Sequence, residues 1–183
     1  MKTHSLVTQA FVLKNYIPEK YKVVILHKQL GKITCVYKGN KNKAARLCTG
    51  SLIVCTIEQQ KSWYEIVDVD IMFIPLTSSV TELTFFHHIV LLCLKLLPGG
   101  IAVGELFDYL LYVYNNIAQL SDQGRDVVLL RLFLLFDMLP EHKQMYRCAI
   151  QDPYNIENLS EQQTTEFIAI CWRRFHQEIQ TFS

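Results

Sequence analysis

Residues 21–38 read YKVVILHKQLGKITCVYK. Two runs rich in β-branched and aliphatic residues flank a short polar break. The first run, 21–28, follows Pro18, and the second, 32–38, opens after Gly31. In the second run Ile33, Cys35 and Tyr37 alternate with Lys32, Thr34, Val36 and Lys38. A period of two places these sets on opposite faces of a strand. The break HKQLGK reads as a turn, so the stretch predicts a β-hairpin. Its apolar set is expected to face inward, with Lys32 and Lys38 outward.

The neighbouring sequence extends this pattern. LVTQAFVL (6–13) is β-rich, and SLIVCTIEQ (51–59) and SWYEIVDVDIMFI (62–74) read as two more strands joined around Gln60 and Lys61. Five short strands with a longer connection after the third predict a small closed barrel. After Pro75 the apolar spacing becomes helical. One helix is expected over 83–97, ended by Pro98-Gly99-Gly100, and a second over 104–118. A third, over 123–138, is capped by Ser121-Asp122 and stopped by Pro140. The last, over 160–180, carries a stripe of Phe167, Ile168, Cys171, Trp172, Phe175 and Ile179. The expected class is therefore α+β. A five-stranded OB-type β-barrel over 1–76 is followed by an all-helical domain over 77–183.

Half of the 183 residues are hydrophobic and 19% are charged, which allows a packed core. The net charge of +1 hides an asymmetry. Residues 1–70 carry eleven Lys or Arg against five acids, a net of +6, and the remainder carries seven against twelve, a net of −5. The cations concentrate in YKGNKNKAARL (37–47), where Lys38, Lys41, Lys43 and Arg46 meet no acid. Such a segment needs either a solvated role or an anionic partner, and the absence of interspersed acids favours the partner. Phe11, Tyr16, Tyr21, Tyr37, Trp63 and Tyr64 interleave with Lys14, Lys20, Lys22, Lys38 and Lys61. Cations neutralise phosphates and aromatic rings stack on bases, so the combination suits a nucleic acid.

The catalytic signals are weaker. The sequence has no GxSxG, HExxH, P-loop or GxGxxG motif, and the expectation is a non-enzyme. Asp68 and Asp70 share one strand face, and without a third ligand nearby they read as solvated charges. His87-His88 reads as one buried histidine beside one on the polar side. The six cysteines form no CxxC pair, and Cys35, Cys55 and Cys93 read as small core residues. The opening MKTHSLVTQA lacks a basic start followed by an apolar run, so no signal peptide is expected. The longest apolar stretch, 89–97, is too short to span a bilayer. No cofactor and no membrane are expected, and the expected compartment is the cytoplasm.

AFVLKNYIPEKYKVVILHKQLGKITCVYKGNKNKAARL resembles the opening of the bacterial RecO family of recombination mediators. That family opens with a "GFVL"-type strand, a hairpin, a "G-K-hydrophobic-T/S" strand and a "K-G-basic" loop. The helices of 80–139 with PGG between the first two, and MYRC at 145–148, also fit it. The resemblance implies an OB barrel followed by a helical domain. It implies binding of single- and double-stranded DNA, ATP-independent strand annealing and help in recombinase loading, with a nucleoid-associated location. RecR and the C-terminal tail of the single-stranded DNA-binding protein are its implied partners. The matching basic residues are Lys14, Lys38, Lys41, Lys43 and Arg46, and Lys32 joins them as an outward strand cation. Arg125 and Arg131 are the candidates for holding the partner tail. Many family members carry a four-cysteine zinc knuckle after the segment matching MYRC. Here Cys148 stands alone, so no metal is expected. The competing readings are an RNA-binding OB module associated with ribosome or tRNA, and a protein-interaction adaptor.

Overall fold

The computed structural model describes residues 5–16, 21–40, 43, 47–75, 79–156 and 160–181. It comprises two compact units, Met1–Phe107 and Asp108–Ser183.

The first unit holds five strands: β1 (Ser5–Asn15), β2 (Lys22–His27), β3 (Gly31–Tyr37), β4 (Leu52–Gln59) and β5 (Tyr64–Phe73). They close into a barrel in the order β1-β2-β3-β5-β4. The long first strand makes closure possible, because it pairs twice. Ser5 to Phe11 run antiparallel to β4, and Ala10 to Asn15 run antiparallel to β2. A register shift between Val12 and Lys14 bends it from one partner to the other. β3 and β5 form the single parallel pair among these strands. The five-stranded Greek-key barrel is an OB-type arrangement, as the sequence predicted.

Alternation decides what the barrel encloses. Ile33, Cys35 and Tyr37 are buried inside, together with Ala10, Val12, Val23, Ile25, Ile53 and Val69. The expected inward set of β3 is thus the observed one. Both sides of the AFVL run are buried. Ala10 and Val12 line the interior, whereas Phe11 packs on Phe107 with ring centroids 5.1 Å apart.

The change from strands to helices falls between Phe73 and Val80, but the first compact unit extends further, to Phe107. It includes α1 (Val80–Leu96), whose cap Ser79 accepts from the Glu82 N–H. It also includes the PGGI segment, which runs against the hairpin. Gly99 bridges Lys32, the Gly100 N–H donates to the Lys32 carbonyl at 3.2 Å, and the Val103 N–H donates to that of Lys28 at 3.0 Å. Gly31 lies at this seam with φ +66°, and a Cβ there would sit 1.9 Å from the Ile101 carbonyl oxygen. Only glycine fits that position. The division between units falls within α2 (Gly104–Asn115).

In the second unit, α3 (Asp122–Leu135), α4 (Lys143–Ala149) and α5 (Glu161–Thr181) pack together. Ser121 Oγ caps α3 by accepting from the Gly124 N–H at 3.0 Å, as expected. The stripe on α5 buries Ile168, Cys171 and Phe175. Phe133 of α3 meets Trp172 edge to face at 5.2 Å. The third helix ends earlier than its pattern predicts, at Leu135. Asp137 turns left-handed there (φ 58°), and Met138 and Asp137 donate back to the Phe133 and Leu134 carbonyls. This is a Schellman closure, with aspartate where glycine is usual. No described helix is long and apolar enough to cross a membrane.

Candidate nucleic-acid interface

A cleft of about 530 Å³ opens on the β2–β3 wall, lined by Lys22, Ile33, Thr34, Val36, Ser62, Trp63 and Tyr64. Three separate stretches of sequence build it. Lys22 opens β2 and pairs across the ladder with Val36, so their side chains share the outer face. Thr34 is the next outward residue of β3. Ser62 and Trp63 arrive from the short β4–β5 connection, where the Gln60 N–H bonds the Trp63 carbonyl at 2.9 Å, and Tyr64 opens β5. Trp63 remains 47% exposed, although indole is among the largest apolar groups available to the core.

Its position is fixed by Glu65. The carboxylate accepts from Trp63 Nε1 at 2.9 Å and from Gln60 Nε2 at 3.1 Å, and it pairs with Lys38 Nζ at 2.7 Å. The Glu65 side chain is only 5% exposed and that of Lys38 is 59% exposed. The bond from Lys38 and then that from Trp63 hold the Glu65 carboxyl below the usual carboxylate range. One buried anion therefore anchors an aromatic ring and a cation beside the same cleft.

The other predicted cations have different surroundings. Lys14 is exposed, with Nζ 4.7 Å from the Tyr16 ring centroid. Lys32 donates instead to the Leu94 carbonyl at 2.7 Å, in the last turn of α1. Partial burial pushes its pKa down. An ammonium at a helix C-terminus satisfies an orphan carbonyl and opposes the dipole, so Lys32 has a local structural role. Lys43 Nζ stands 3.1 Å from both Asp68 Oδ1 and Asp70 Oδ1. The Asp68 bond and then the Asp70 bond raise the pKa of Lys43, and Lys43 in turn lowers that of Asp68. Lys41 and Arg46 lie outside the described residues.

The tail candidates fall in the helical unit. Arg125 pairs with Asp122 one turn earlier on α3, and its side chain is largely covered. Arg131 lies 6.0 Å from the Tyr109 ring centroid. His87 is exposed and His88 half-buried. Cys148 is buried in α4, and among the described residues no three His, Cys, Asp or Glu side chains gather as a metal site. Burial pushes the Cys35 and Cys55 thiols up to about 12, which keeps both protonated near neutrality.

Sequence reasoning named Lys22 and Trp63 only within the interleaved basic and aromatic set, did not place them among the site residues, and missed Glu65. Two signals pointed to them: a tryptophan beside a tight polar turn, and outward alternation from Lys22 on β2. Asp68 and Asp70, read as freely solvated, turn out to be the partners of Lys43. No protein-family model matches this chain, and no curated protein matches it.

Proposed function

We propose that the chain is a nucleic-acid-binding protein that works as a DNA recombination and repair mediator of RecO type. In this reading it binds single-stranded DNA in the β2–β3 cleft and duplex DNA through its basic surface. It anneals complementary strands without ATP and assists recombinase loading. RecR and the tail of the single-stranded DNA-binding protein are the corresponding partners, and the cytoplasmic nucleoid the corresponding place.

The observation that carries the reading is the cleft itself. OB barrels bind oligonucleotides on the face of strands 2 and 3 together with the loop joining strands 4 and 5. Here that location holds an exposed tryptophan, a tyrosine and a lysine. A stacked base contributes ~1–3 kcal/mol, and phosphate contacts add a salt-sensitive contribution. Lys22 supplies charge in the cleft, and Lys38, held by Glu65, adds a second cation beside Trp63.

The decisive experiment is annealing of two complementary oligonucleotides without nucleotide. Acceleration that falls with added salt and is lost on Trp63→Ala combined with Lys22→Ala supports the mediator. Binding without acceleration reduces the protein to a binding module, and no binding at low salt removes the reading. RNA is the second candidate ligand, since ring stacking and phosphate neutralisation serve either backbone. Competition between matched DNA and RNA strands decides between them.

A further inference from the structure

We infer that Asp68 and Asp70 are a built-in competitor for phosphate at Lys43, releasing this cation only to a chain that offers several phosphates together. The inference rests on the nucleic-acid reading and adds a length selectivity to it.

The geometry of the two ion pairs carries the argument. Glu65 is nearly buried and also holds Trp63 and Gln60, so removing Lys38 would strand a desolvated carboxylate. Lys38 is therefore a fixed cation. Asp68 and Asp70 are 64% and 78% exposed, and Lys43 is 44% exposed. When Lys43 leaves, water replaces it on both carboxylates at little cost, since exposed pairs are weak and screened by salt. Lys43 is therefore a releasable cation.

Charge then determines which ligand can release it. Two carboxylates against one ammonium leave the cluster at −1, which repels a lone phosphate. Two of the three ammonium donors already point at carboxylate oxygens. A longer strand behaves differently. Once its bases and phosphates engage the Trp63–Lys22 cleft, a strand long enough to extend to Lys43 presents further phosphates there at a high effective concentration and displaces the aspartates. Short oligonucleotides and mononucleotides lack that advantage.

The test uses the full chain and single-stranded thymidine oligonucleotides of about 4 and about 16 nucleotides, a span that matches one OB barrel. The variant Asp68→Asn with Asp70→Asn should raise affinity for the short strand several-fold, and that for the long strand less. Adding Lys43→Ala should remove the gain. Glu58→Gln, which removes a charge from β4 without a contact to Lys43, should give little. The inference is overturned if the gain survives Lys43→Ala, if Glu58→Gln reproduces it, or if both lengths respond alike. If wild type binds but the double Asn variant gains nothing, the competitor is also refuted and the nucleic-acid reading stands. If no form binds either strand, that reading falls and the inference with it.

Discussion

The β2–β3 wall and the outer face of β5 belong to one barrel, alternate with the same period and carry opposite chemistry. The first presents Lys22, Thr34 and Val36 beside an exposed tryptophan. The second presents Asp68 and Asp70, bridged by a lysine from the β3–β4 connection. The contrast teaches that charge on a loop does not define a site until its partners are known. Lys38, Lys43 and Lys32 all come from the basic part of the sequence. One is held by a buried carboxylate, one by two exposed carboxylates, and one by a helix end. Aromatic exposure distinguishes the two walls more clearly than charge does.

The strongest way to break the comparison is to break the hairpin that makes the first wall. Gly31→Ala forces a left-handed side chain into contact with the Ile101 carbonyl. Backbone strain alone costs ~1–3 kcal/mol, and the clash adds to it. The expected result is a loss of at least ~2 kcal/mol in urea unfolding, together with loss of cleft binding. Gly100→Ala, with φ +74° but nothing within contact distance of its Cβ, should cost less. Equal costs would show that the seam against Ile101 contributes nothing.

Trp63→Ala comes next. Removing one stacking ring should weaken single-strand affinity by ~1–3 kcal/mol, roughly 5- to 150-fold. The melting temperature should change little, because Trp63 is half exposed. Anisotropy titration and thermal unfolding measured together make the separation visible. A large stability loss with unchanged binding would place Trp63 in the barrel's support and not in its interface.

A pH series sharpens the contrast from inside the barrel. His27 is buried at the hairpin end of β2, and its Nδ1 accepts from the Gln29 and Leu30 N–H groups at 3.1 and 3.0 Å. The ring is therefore neutral, with its proton on Nε2, and burial lowers its pKa. At pH values near and below ~6.5 the unfolded chain binds a proton that the folded barrel refuses. Stability should be full above that range and decline as pH falls through it. Protonation also removes the acceptor from both turn N–H groups, so the β2–β3 hairpin should respond first. Denaturant midpoints between pH 5 and pH 8 check this. His27→Gln should flatten the dependence, and an unchanged slope would assign it to other groups.

Part of this was legible in the sequence because it is local. Alternation in 32–38 gave the inward Ile33, Cys35 and Tyr37, and Ser121 before a helical run gave a cap. What was not legible depends on distant partners. Lys32 looks like any outward strand cation until Leu94, 62 residues away, arrives beside it. Asp68 and Asp70 look solvated until Lys43, 25 and 27 residues upstream, reaches them. The PGGI segment read as a helix stop, which it is, but its pairing with the hairpin has no local signature. Trp63 followed a tight turn, and only the carboxylate two residues on shows that its exposed position is held.

The smallest expected effect separates two lysines of the same wall. Lys22 opens β2 at the cleft, and Lys32 points at the end of α1. Replacing either by Met keeps the aliphatic stem and removes the charge. Lys22→Met should weaken oligonucleotide binding a few-fold, lower the salt dependence by about one phosphate contact, and leave stability unchanged. Lys32→Met should leave binding and its salt slope unchanged and lower stability by ~0.3–1 kcal/mol, the usual contribution of a cation at a helix C-terminus. Because the penalty of partial burial opposes that contribution, the stability loss belongs at the lower end of the range. If both variants lose binding equally, the nucleic acid senses the wall's total charge and the cleft has no privileged cation. If only Lys22→Met does so, position on the wall, and not sign, marks the interface.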